Sequence, residues 1–159
     1  MFEIGSKIVY PMHGAGIITN IEDREILGET RRYYCVSLPC GRMTASVPVD
    51  KAEGVGIRDV IDSSEIGDVL AVLEQPPEPM QSNWNRRYRD NIERLQTGDI
   101  RIVASVVRDL AKTDKVKPLS TGEKKLLGTA KQIVASELVY AGGFTMEEAE
   151  SLVESHIRF

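Results

Sequence analysis

Tyr33-Tyr34-Cys35-Val36-Ser37-Leu38-Pro39-Cys40-Gly41-Arg42-Met43-Thr44-Ala45-Ser46-Val47 carries two runs of period two around one turn. Tyr34, Val36 and Leu38 alternate with Tyr33, Cys35 and Ser37, and Met43, Ala45 and Val47 continue the alternation beyond Pro39-Cys40-Gly41. Such a pattern predicts a β-hairpin with one buried face. Outward from it, period two persists from Lys7 to Val60, interrupted at Gly14-Ala15-Gly16 and at Gly28-Glu29. Roughly five short strands hide their edges best by curling, so this part is expected to form a small antiparallel barrel of the SH3 or Tudor kind.

After Val60 the period changes to that of helices. Asp62 or Ser63 can cap a helix with Ile66, Val69, Leu70 and Leu73 on one face, which Pro76, Pro77 and Pro79 then stop. Asp99 can cap another carrying Val103, Val106, Val107 and Leu110. Ser120-Thr121-Gly122-Glu123 and Thr145-Met146-Glu147-Glu148 read as capping boxes. The first opens the longest helix, with Leu126, Leu127, Ala130, Ile133, Val134 and Leu138 inward, and the second opens the last. The fold class is therefore α+β with two domains, a barrel followed by a bundle of about five helices. Composition alone draws the boundary at the prolines, residues 75–80.

The net charge of −4 hides an asymmetry. Residues 1–73 hold seven Lys/Arg against eleven Asp/Glu, whereas 80–131 hold twelve against six, and 132–159 one against five. An acidic average thus does not argue against nucleic acid, because a phosphate backbone responds to the local patch. Cys35 and Cys40 are too few for a disulfide framework or a four-cysteine zinc site. No secretory signal, lipidation motif or apolar run of the ~20 residues that span a bilayer is visible, so a soluble cytoplasmic protein is expected.

Catalytic readings lack a constellation. His13 could pair with Cys35 or Cys40, but nothing signals an orienting group or an oxyanion site. Gly122-Glu123-Lys124-Lys125 lacks the earlier glycine and the strand of a phosphate loop, although Lys124, Lys125 and Lys131 near a helix start could favour an anion. No enzyme activity and no cofactor are expected.

The informative segment is Ser82-Asn83-Trp84-Asn85-Arg86-Arg87-Tyr88-Arg89-Asp90-Asn91-Ile92-Glu93-Arg94-Leu95, with the chain's one tryptophan and four arginines. On a helical wheel Trp84, Tyr88 and Leu95 fall within about 40°, as in a core stripe. Trp84 also stands at the first turn, after the caps Ser82 or Asn83, where an aromatic plate can overhang the end of a bundle. Both readings stand on the pattern alone.

Tyr10-Pro11-Met12-His13-Gly14-Ala15-Gly16, Asn83-Trp84-Asn85-Arg86-Arg87-Tyr88, Val106-Val107-Arg108-Asp109-Leu110 and Ser120-Thr121-Gly122-Glu123-Lys124 together resemble the CarD, or CdnL, family of bacterial transcription regulators. The front part is also similar to the polymerase-binding module of transcription-repair coupling factors. The resemblance implies a Tudor-like domain over residues 1–60 that docks on the RNA polymerase β subunit. It also implies a helical DNA-binding domain over 61–159, with the prolines inside it. Trp84 would be a minor-groove wedge at the upstream edge of the melted promoter, stabilising the open complex without reading sequence. Arg86, Arg87 and Arg89 would hold the DNA backbone, with Lys124 and Lys125 beside them. Arg24 and Ile26 match polymerase contacts, and Ser46 stands where the family has an arginine. A monomer is expected, tied to the nucleoid through polymerase, with no membrane and no small-molecule substrate. The other readings are an adaptor whose barrel binds protein or RNA, and a small His- or Cys-dependent enzyme.

Overall fold

The computed structural model describes residues 1–39 and 42–159. The Cys40-Gly41 part of the predicted turn lies outside the described residues. Five strands, β1 (Lys7–Tyr10), β2 (Gly14–Ile26), β3 (Glu29–Leu38), β4 (Met43–Pro48) and β5 (Arg58–Asp59), form one antiparallel sheet in the order β4-β3-β2-β1-β5. A 3₁₀ turn, Val49–Lys51, and the short helix α1 (Ala52–Val55) carry the chain from one edge strand to the other. The predicted alternation is observed: Tyr34, Val36, Leu38 and Val47 join Ile8, Ile18, Ala52 and Ile57 in one core. β1 pairs with β2 only through Ile17, so β2 and β3 run on as a ribbon. Its turn, Leu27-Gly28, takes φ of 54° and 78°, the positive pair of a type I′ hairpin, and leaves Leu27 fully exposed.

The helices are α2 (Ile66–Glu74), α3 (Trp84–Gln96), α4 (Ile100–Val116), α5 (Thr121–Gly142) and α6 (Met146–His156). Their starts follow capping chemistry. Asn83, Asp99, Ser120 and Thr145 each accept a backbone N–H of the first turn, and Asp62 does so for the 3₁₀ turn leading into α2. The second core joins all five helices through Val69, Leu73, Leu95, Val106, Val107, Leu110, Ala130, Val134, Leu138, Ala149 and Val153. The proline stretch lies on this bundle. The Glu78 N–H donates to Asp109 Oδ1 at 3.1 Å, and Lys112 Nζ donates to the Gln75 carbonyl at 2.7 Å. Nearby, the buried Arg108 reaches Asp109 at 2.9 Å and Gln75 Oε1 at 3.2 Å.

Sheet and bundle meet along Tyr10-Pro11-Met12-His13-Gly14-Ala15-Gly16. The Ala15 N–H donates to Ser136 Oγ of α5 at 2.9 Å, in a buried contact. Gly14 has φ of 91°, and a Cβ there would lie 2.7 Å from the same oxygen. At Gly16 it would come within 2.1 Å of the Ser37 carbonyl oxygen, so glycine alone permits this approach. Pro11 sits against Gly56 and Gly98, 3.2 and 3.0 Å from where their methyl groups would be. Arg58 of β5 makes a two-pronged ion pair with Glu137 of α5, at 2.7 and 2.8 Å, and also donates to the Gly98 carbonyl. Glu137 is 1 % exposed and accepts the Ile61 N–H as well. A buried carboxylate with this many donors is strongly committed to one place, which fixes the sheet on the helices.

Candidate nucleic-acid interface

Asn83 caps α3 by accepting the Arg86 N–H at 3.1 Å, which puts Trp84 at the first helical position. The stripe predicted on the wheel runs from core to surface: Leu95 is fully buried, Tyr88 half-buried and Trp84 43 % exposed. The core reading of Trp84 does not hold, because at the first turn of α3 the indole overhangs the buried part of the stripe and keeps 43 % of its surface exposed. Three contacts hold the ring from behind. Tyr88 stacks on it with centroids 5.4 Å apart and planes 16° from parallel. The indole Nε1–H donates to Ser120 Oγ at 2.9 Å. Gly122 completes the seat, since a Cβ there would lie 3.8 Å from the indole Cζ2 and 3.7 Å from Tyr88 Cε2.

The arginines around Trp84 divide into two groups. Arg86 and Arg89 are exposed, and no ion pair engages either among the described residues. Arg87 turns inward, donating through Nε and Nη2 to the Glu123 carboxylate at 2.7 and 2.8 Å. Arg94 also turns inward, to Asn91 at 2.8 Å and Asp109 at 3.2 Å. Arg87, expected as a backbone contact, is therefore occupied inside the protein, because Glu123 is only 1 % exposed and needs a cation to remain ionised there. The Arg87 guanidinium holds the Glu123 carboxyl below its ordinary range despite burial, and Glu123 raises Arg87 in turn.

That pair also alters the predicted capping box at Ser120. Ser120 Oγ accepts the Glu123 N–H at 3.2 Å, but the carboxylate does not return to the Ser120 N–H; it faces Arg87. Thr145 and Glu148 do close their box. Lys124 and Lys125 stand exposed on the first turn of α5, without ion pairs among the described residues. Lys131 is drawn off to Glu154 at 2.6 Å. Four uncommitted cations, Arg86, Arg89, Lys124 and Lys125, thus occupy the opening turns of the two helices that meet at the indole. The positive ends of both helix dipoles lie there too, and the arrangement can hold phosphates beside a flat apolar blade.

Arg24, Ile26 and Ser46 lie in the sheet, apart from this face. Arg24 Nη1 donates to Ser46 Oγ at 2.8 Å, and its Nε donates to Glu22 at 2.7 Å. Its guanidinium lies 5.7 Å from the Tyr33 ring centroid. Ile26 stands half-exposed next to the hairpin turn. Cys35 lies beneath Arg24, 3.6 Å from Nη2, and burial raises its thiol pKa, opposite to what a nucleophile needs. His13 packs edge-on against Tyr10, and Cys40 lies outside the described residues. Among the described residues no cluster of His, Cys, Asp and Glu could hold a metal ion, and no helix is long and apolar enough to cross a membrane.

Sequence reading missed Ser120 as the partner of the indole and Glu123 as the partner of Arg87. The available signal was Glu123 itself, an acid one turn before Leu126 and Leu127 on the inward face of α5.

Residues 2–61 match the family model described as "CarD-like/TRCF RID domain", and residues 68–154 match "CarD, C-terminal domain". A protein of Bacillus subtilis (strain 168) named "Putative transcription factor YdeB" is 38 % identical over 151 residues, covering 95 % of this chain and 99 % of its own length.

Proposed function

The chain belongs to the CarD family and is a CarD-like transcription factor, and from this premise we propose how it acts on a promoter. The sheet domain, residues 1–60, docks on the β subunit of RNA polymerase through Arg24, Ile26 and Ser46. The helical domain, 61–159, reaches the upstream edge of the melted DNA, where Trp84 enters the minor groove as a wedge. Arg86, Arg89, Lys124 and Lys125 hold the backbone, and Arg87 acts from behind by bracing Glu123. One observation carries the reading: a half-exposed indole is backed by Tyr88 and Ser120, on two helices whose opening turns hold four exposed cations without an ion pair among the described residues.

The mechanism is physical. A wedge that fits unstacked DNA better than closed duplex shifts the equilibrium by that difference in affinity and no more. Unstacking a base step costs about a few kcal/mol, the scale a seated aromatic wedge has to offset. Its orientation is set before binding, so little ordering entropy is lost on contact. Backbone contacts carry no base code, and selectivity among promoters comes from polymerase and from how readily the DNA deforms. The protein works as a monomer on the nucleoid, without catalysis.

The test is the lifetime of the open complex formed by polymerase and the full chain. Trp84→Ala is expected to shorten it while polymerase binding is kept. An unchanged lifetime on several promoters would overturn the wedge role.

A further inference from the structure

Ser120 is placed where its one hydroxyl can be fully used. Oγ accepts the indole N–H at 2.9 Å and the Glu123 backbone N–H at 3.2 Å, and donates its own proton toward Glu123 Oε1 at 3.3 Å. Two acceptor positions and one donor exhaust what a hydroxyl offers. Glu123 is itself held in place, buried and paired with both Nε and Nη2 of Arg87. The direction of the hydroxyl proton, and hence of the lone pairs facing the indole, is therefore set by a fixed carboxylate.

We propose that Ser120 is a positioning residue for Trp84: with Glu123 and Arg87 it forms a chain of hydrogen bonds that aims the indole and holds it edge-outward. Among the described residues the exposed ring has no other polar anchor. Tyr88 covers one face, but stacking alone lets the upper ring slide and turn in its plane. The bond from Nε1 removes that rotation. Gly122, next to the cap, lies against both rings at a distance where even a methyl group would make ordinary contact, so the hydroxyl meets the indole without displacing the stack.

This inference rests on the wedge reading of Trp84, so its experiment has one readout on the free protein and one on the promoter complex. Trp84 is the only tryptophan, and the decay of its fluorescence anisotropy reports the motion of this ring alone. Ser120→Gly keeps most of the helix cap while removing the acceptor, and Ser120→Thr keeps both. The glycine variant is expected to show faster indole motion. Its open-complex lifetime should fall about three- to tenfold, the factor that one lost neutral hydrogen bond represents. The threonine variant should restore both values, and polymerase binding should be the same in all three proteins. Unchanged indole motion in Ser120→Gly, or a normal lifetime beside a shortened one in Trp84→Ala, overturns the role given to Ser120. A normal lifetime in Trp84→Ala as well overturns the wedge reading and this inference with it.

Discussion

Arg58 and Glu137 stand 79 positions apart in the chain, and their two hydrogen bonds of 2.7 and 2.8 Å close the seam between sheet and helices. Glu137 is almost wholly buried, whereas Arg58 keeps 30 % of its side chain exposed. The cation can be solvated if the contact opens; the carboxylate cannot.

Removing the arginine is therefore expected to cost more than removing both partners. Arg58→Ala leaves a buried charge without its cation, a loss of about 3 kcal/mol. In a chain of this size that lowers the melting temperature by roughly 6 to 12 °C. Arg58→Ala with Glu137→Gln should recover part of the loss. Calorimetry of the three proteins checks it, and equal melting points for single and double variants would count against the account.

The four exposed cations and the braced Arg87 should part company experimentally. Arg86→Ala and Arg89→Ala are expected to leave thermal stability unchanged and to reduce the salt dependence of promoter-complex formation by about one unit of slope each. Arg87→Ala should lower the melting temperature, since it strands Glu123. Salt titrations and melting curves on the same preparations make the comparison; a stable Arg87→Ala protein would contradict the bracing role.

Acid should loosen the tryptophan seat. The folded-state pKa of Glu123 lies below the ordinary glutamate value of 4.5, so its pair contributes fully above that pH. The contribution drains away as pH falls through the depressed value, when Glu123 takes up a proton and releases Arg87. Wild type is expected to exceed Glu123→Gln in stability at neutral pH, and the gap should narrow below pH 4.5. A gap that stays constant down to pH 3 would exclude Glu123 as its source.

Arg24→Glu reverses the charge on a residue already 41 % exposed in its side chain and is expected to weaken capture by the polymerase β subunit at least about tenfold, as like-charge contacts do. Its melting temperature and Trp84 emission should match wild type, because the sheet core lies on the other face. Normal capture in a pull-down would remove Arg24 from the docking surface.

What the chain disclosed in advance was local. Period two placed Tyr34, Val36, Leu38 and Val47 in one core, and the caps Asn83, Asp99 and Thr145 began helices where side-chain oxygens meet free N–H groups. What it withheld was long-range. Ser120-Thr121-Gly122-Glu123 has the letters of a capping box, yet Arg87, 36 positions away, attracts the carboxylate more strongly than a backbone N–H does. Trp84, Tyr88 and Leu95 share one face of α3, but periodicity says nothing of where the neighbouring helix ends, and there burial stops. Gly14-Ala15-Gly16 read as a turn because glycines mark turns, whereas here they admit the approach of α5 and of β3.

Pro11 lodged between Gly56 and Gly98 has a consequence for how this molecule can change its reach. The few residues from Val60 to Glu65 join the two halves, but they do not set the distance between the Leu27 hairpin tip and the Trp84 ring. That span is braced by the clasp of Pro11, Ser136 and Glu137, which makes the seam, and not the connection, the jaw of a caliper. Lengthening the connection is expected to leave its opening as it is, while a methyl at Gly98, 3.0 Å from Pro11 Cγ and at a φ of 70°, is expected to press on the clasp, and small-angle scattering of the two variants compares their spans.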